Sequence, residues 1–96
     1  MKFLKREYDD FKKLILENGL DPDHFHHIKK RGHLYVQQEG REDTFCFFRK
    51  KETTLNEQLQ WEDKVTYFLD PKNTIQVDQW NEVLEAFKIW LLDHKK

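Results

Sequence analysis

Apolar side chains recur at Val77, Trp80, Leu84, Phe87 and Leu91, in alternating steps of three and four, and Val83 and Trp90 widen the stripe. That period predicts an amphipathic helix with one apolar face. Two tryptophans and a phenylalanine on one face are too much apolar surface to leave in water, so the helix is expected to lie on a core. Projected at about 100° per residue, Ile89 and Leu92 fall on the opposite side, beside Glu82 and Glu85. Asp78 stands where a helix cap belongs. A second stripe, Leu4, Tyr8, Phe11, Leu14 and Ile15, predicts a helix over 4–18, ended by Asn18-Gly19.

Between the helices the period changes to two. His33 to Gln38 alternates, with Leu34 and Val36 on one face and His33, Tyr35 and Gln37 on the other. In Thr44 to Phe48, Phe45 and Phe47 share one face while Thr44, Cys46 and Phe48 share the other. Trp61 to Leu69 places Val65, Tyr67 and Leu69 opposite Thr66 and Phe68, and Asp70-Pro71-Lys72-Asn73 ends it. Glu39-Gly40-Arg41-Glu42 reads as a hairpin turn, and the polar Thr53 to Gln60 as a long hairpin connection. His24 to Lys30 reads either as a short edge strand with Phe25 inward or as an irregular connection broken at Gly32. The expected fold is α+β: a two-layer sandwich with an N-terminal helix, a three- to four-stranded antiparallel meander and a C-terminal helix, both helices covering one sheet face.

The 96 residues suit one domain, and a helix running almost to the last residue reads as an N-terminal domain cut from a longer protein. Seventeen basic and 18 acidic side chains nearly cancel, so no global attraction to nucleic acid or anionic membrane is expected. No apolar run approaches the roughly 20 residues a membrane span needs, and no signal-peptide core is present. A single cysteine rules out an internal disulfide and suits a reducing, cytoplasmic setting.

Candidate chemistry is sparse. His24 and His26, two residues apart with Asp21, Asp23, His27 and His33 nearby, are the candidates for a transition metal. No second pair with ligand spacing accompanies them, and solvated loop histidines are the plainer reading. Cys46 sits among phenylalanines, where a thiol pKa rises and reactivity falls. No Gly-rich phosphate loop, serine elbow or His-Glu-x-x-His occurs, so neither an enzyme nor a cofactor is expected.

Phe45-Cys-Phe-Phe-Arg-Lys resembles the central-strand motif of RNA-recognition domains, whose alternating aromatics stack on bases. That resemblance would give Phe45, Phe47, Arg49 and Lys50 to nucleic acid, with Lys29, Lys30 and Arg31 on phosphates. Cys46 and Thr44 depart from the motif, and a chain that begins and ends with a helix departs from that fold. The apolar surplus points elsewhere. Ile89 and Leu92 on the last helix, with Tyr35 and Phe48 on the sheet, exceed what two helices cover, and such a surplus marks a protein interface.

Val65-Thr-Tyr-Phe68, followed by Trp80-x6-Phe87-x2-Trp90-Leu91, resembles small accessory α/β domains of multidomain bacterial proteins, some linked to phage defence. The resemblance covers about residues 63–92. It implies an accessory module with Trp80, Phe87 and Trp90 as packing residues, and it transfers no catalytic residue. The expectation is a non-catalytic interaction or oligomerisation module. Its partner would be another protein, an adjacent domain or a second copy, with nucleic-acid binding as the alternative.

Overall fold

The computed structural model describes residues 3–69 and 75–93. Helix α1 (Lys5–Glu17) is followed by a 3-10 turn at Pro22–His24. Five strands come next: β1 (Phe25–Lys30), β2 (His33–Gln38), β3 (Thr44–Leu55), β4 (Trp61–Leu69) and β5 (Ile75–Val77). Helix α2 (Trp80–Leu92) closes the chain. All strands pair antiparallel in the order β1-β2-β3-β4-β5, a plain meander. The class is α+β, as the alternation of helical and strand periods requires, with five strands in place of the three or four expected.

The extra strands come from the two ends of the sheet. His24–Lys30 resolves into the edge-strand alternative: Phe25 is buried, and a two-residue turn with Arg31 (φ 54°) and Gly32 (φ 78°) returns the chain into β2. Both turn residues have positive φ, the geometry of a tight type I′ hairpin. At the other end, Val77 lies in β5 opposite Tyr67, not in the last helix. The apolar stripe counted it correctly as inward-facing but on the wrong element. The helix begins at Trp80, and its first-turn carboxylate, Glu82, accepts the Gln79 N–H at 3.1 Å, so Asp78 is not the cap. The turn read at Asp70-Pro71-Lys72-Asn73 lies outside the described residues.

The core forms between the helices and one sheet face. Helix α1 contributes Phe11 and Ile15; α2 contributes Val83, Phe87 and Leu91. They meet Leu34 and Val36 of β2, Phe45 and Phe47 of β3, and Tyr67 and Leu69 of β4. Register explains the layer, because Val36 faces Phe45, and Phe47 lies between Leu34 and Leu69 across the strands. Ring contacts tie the two layers: Phe11 lies 4.3 Å from Phe87 and 5.7 Å from Phe47, and Phe45 lies 5.2 Å from Phe87.

The largest difference from the sequence reading concerns β3, which does not stop at the water line, while β4 spans Trp61–Leu69 as expected. β3 continues to Leu55 and pairs with β4 down to Leu55 opposite Trp61, so the expected connection over Thr53–Gln60 shrinks to a turn at 56–60. Asn56 closes it: its N–H donates to the Gln60 carbonyl, and its side-chain oxygen accepts the N–H groups of Gln58 and Gln60, each at 2.9 Å. The result is a two-stranded arm extending past the helices, in a molecule 50 Å long and 26 by 21 Å across.

Candidate functional site

The sheet has one covered face and one open face. Alternation sends Ile28, Lys30, His33, Tyr35, Cys46, Phe48, Lys50, Thr66 and Phe68 away from the helices. Cys46 and Thr66 are buried there beneath larger neighbours. Above them the rings of Phe48 and Phe68, directly opposite in register, stack at 4.8 Å with an interplanar angle of 11°. His33 meets Phe48 edge-on at 5.1 Å and lies 6.4 Å from Tyr35. Beside this cluster Ile28, Lys30, Arg31, Tyr35 and Thr44 line a shallow groove of about 280 Å³. Burial pushes the Tyr35 hydroxyl pKa up, and the adjacent Cys46 adds to the effect.

The residues singled out from sequence distribute unevenly around this geometry. Tyr35 and Phe48 lie together on the open face, both half-buried. Ile89 and Leu92 are 70% and 53% exposed on the outer side of α2, a separate surface. The nucleic-acid set is divided. Phe45 and Phe47 are core residues under the helices, so neither is available to stack on a base. Arg49 points to the same covered side and donates from Nε to Glu7 Oε2 at 2.8 Å, which removes it from phosphate duty. Lys29 shares the parity of the covered side, whereas Lys30, Arg31 and Lys50 rim the open face.

The histidines separate as well. His24 sits in the 3-10 turn, 3.9 Å from Asp21, and His26 lies in β1, 2.9 Å from Glu39. Among the described residues no group of three or more His, Cys, Asp or Glu side chains converges in a metal-holding arrangement. His27 turns to the helix side, where its ring meets Phe3, Tyr8 and Phe11 at 4.9, 4.5 and 6.2 Å. Its Nε2 is buried without a hydrogen-bond partner. Desolvation, with a smaller contribution from the neighbouring His26, lowers its pKa to about 4.

Two polar clusters anchor the helices, and sequence reading missed both. Glu7 is fully buried in α1; its Oε1 accepts the Leu4 N–H at 3.0 Å while Oε2 takes Arg49. Burial pushes its carboxyl pKa up, against the pull of Leu4, Arg49 and Arg6. Arg6 donates to the Tyr67 hydroxyl at 3.3 Å and lies 5.5 Å from the Trp80 ring, whose Nε1 donates to Asp10 at 2.7 Å. At the far end, Arg41 closes the α2 C-terminus. It donates to the carbonyls of Trp90 and Asp93, each at 2.8 Å, and its guanidinium lies 4.1 Å from the Trp90 ring centre. A cation on orphan C-terminal carbonyls is the favourable end of the helix dipole. Asp43 pairs with Arg41, which holds its carboxyl below the usual range, and accepts the Trp90 N–H at 3.1 Å. Both clusters are structural: their groups are consumed by one another.

The arm is the second candidate surface. Leu55, Leu59 and Trp61 are 50%, 75% and 73% exposed at its end. Leu59 has φ of +61°, a left-handed conformation that bulky side chains seldom adopt. The signal in the sequence was the β-branched pair Thr53-Thr54 and the charges of opposite sign on the two sides of the turn, Lys50-Lys51 before it and Glu62-Asp63 after it.

No protein-family model matches the chain, and comparison with curated proteins and with solved structures finds no match. Among the described residues no helix is long and apolar enough to cross a membrane.

Proposed function

We propose that the chain is a non-catalytic protein-interaction module that meets its partner with the open face of the sheet. The observation that carries this reading is the stacked Phe48–Phe68 pair, flanked by His33 and Tyr35, on a face that neither helix covers. Rings held together by register are pre-organised, so little side-chain entropy is lost on contact, and aromatic clusters of this kind anchor interfaces. Ile89 and Leu92 form a second, smaller contact on α2. The resemblance of residues 63–92 to accessory domains of multidomain bacterial proteins agrees with such a role, and an adjacent domain of the same polypeptide is then a natural partner.

The test is capture from source cells by the wild-type chain, a Tyr35→Ala/Phe48→Ser variant and Ile89→Glu. Circular dichroism confirms that each variant is folded. A protein retained by wild type and lost by the open-face variant supports the reading; identical capture by all three removes it.

Lys30, Arg31 and Lys50 at the rim of the same face favour a second reading, in which the aromatics stack on single-stranded nucleic acid. Binding to an oligonucleotide would then weaken steeply with salt, as counterion release demands. The residues carrying it would be Phe48 and Phe68, not Phe45 and Phe47.

A further inference from the structure

The arm exposes strand edges that none of the described residues covers. β2 pairs with β3 only over Thr44–Phe47, and β5 pairs with β4 only over Tyr67–Leu69. From Trp61 to Thr66 the outer side of β4 is therefore a bare edge. The turn fixes which groups face outward. Because Asn56 and Gln60 bond toward each other, alternation along the ladder aims the N–H and C=O of Trp61, Asp63 and Val65 away from β3. Unpaired main-chain groups in a row are a template for another strand.

We propose that this edge is a homodimer interface, in which β4 of one copy pairs antiparallel with β4 of a second across a two-fold axis at Asp63. The edge is bounded by the turn at one end and by β5 at the other, and this register uses all of it. It sets Trp61 opposite Val65 of the other copy, twice, and Glu62 opposite Lys64, twice. The outward-facing residues Trp61, Asp63 and Val65 then meet only outward-facing residues, so every main-chain bond of the new ladder is made. Neither Glu62 nor Lys64 takes part in an ion pair among the described residues. The two Asp63 carboxylates that meet at the axis are each already held within their own chain, by Lys51 at 3.1 Å and Thr53 at 3.0 Å.

The β3 edge offers a poorer match. Its corresponding register, centred on Lys51, needs Phe47 opposite Leu55, and Phe47 is already paired with Leu34 of β2.

This interface is separate from the open face and is tested separately. Light scattering on the full chain across a concentration series should show a monomer–dimer equilibrium. Glu62→Lys and Lys64→Glu should each weaken it about tenfold, since each places like charges opposite one another twice, and the double reversal should restore it. Asp63→Cys should close a disulfide dimer under mild oxidation, because antiparallel bonded pairs lie about 5.5 Å apart at Cα. Lys51→Cys should not. Tyr35→Ala/Phe48→Ser should leave the dimer unchanged. A strict monomer, a dimer indifferent to the charge reversals, or preferential closure through Lys51→Cys would overturn the proposal.

Discussion

Strands β3 and β4 pass through two environments, and the same pairing has a different basis in each. Over Phe45–Arg49 and Val65–Leu69 the ladder lies under two helices, and its inward side chains are locked among Phe11, Phe87 and Trp80. Over Lys50–Leu55 and Trp61–Lys64 the ladder stands in water, and between its base and the exposed Leu55 and Trp61 its side chains are charges and hydroxyls, with Lys51–Asp63 and Thr53–Asp63 paired across it. An isolated hairpin is at best marginally stable in water, so the arm borrows order from the covered part. Burial specifies the first region; continuity and turn geometry specify the second.

The comparison breaks most sharply at Phe87. Phe87→Ala removes a fully buried ring at the centre of both layers and should cost about 3–5 kcal/mol, read by denaturant unfolding. Next is Glu7→Ala, which leaves Arg49 beside an empty, dry site. Breaking a buried pair from one side costs roughly 3 kcal/mol, so the midpoint should fall while Glu7→Ala/Arg49→Met recovers much of it.

His27 supplies the third, through pH. Its folded-state pKa, about 4, is below the unfolded value of 6.5, so below neutrality the unfolded chain takes up a proton that the folded chain does not. The His27 contribution to stability should be constant above pH 7 and fall as pH drops from 6.5 toward 4. The ring is partly exposed and partly screened, which limits the loss to about 1–2 kcal/mol. His27→Phe should flatten that part of the stability profile. The smallest effect belongs to the arm: Trp61→Ala, measured on dilute monomer, should change stability by less than about 0.5 kcal/mol. If it cost as much as Phe87→Ala, the arm would have to fold back onto the body.

The elements that follow a burial period were legible in sequence. Phe11 and Ile15, Val83 and Leu91, Leu34 and Val36 announce their faces because one side of each element is dry. The sheet faces of Phe47 and Phe48 were also readable by parity. What escaped was held by other means. The far end of β3 has no dry side, so its polarity read as a loop, whereas β4 was legible over its full length from Trp61 to Leu69; short β5 was absorbed into the apolar stripe of the helix beside it. The seats of Arg41 and Glu7 leave no local trace, since nothing nearby in the chain shows that one will seat on a helix end and the other be buried against Arg49. Phe45, Phe47 and Arg49 looked like a nucleic-acid strand because a motif records residue order but not which face a helix will cover. The open face itself was half visible: Tyr35 and Phe48 were found and parity gave the face of Phe68, but only cross-strand register set that ring against Phe48.

The meander also sets an order of events. Every strand pairs with its neighbour in sequence, so the sheet closes through short loops and small entropy costs. The contact of Phe11 with Phe87 joins opposite ends of the chain and must wait for the last helix. During synthesis α1 emerges first, with Phe11 and Ile15 ready and their α2 partners not yet made. Until α2 arrives and Arg41 closes over its end, the helix-facing side of the sheet is wet, and the growing chain is a sheet with half a lid.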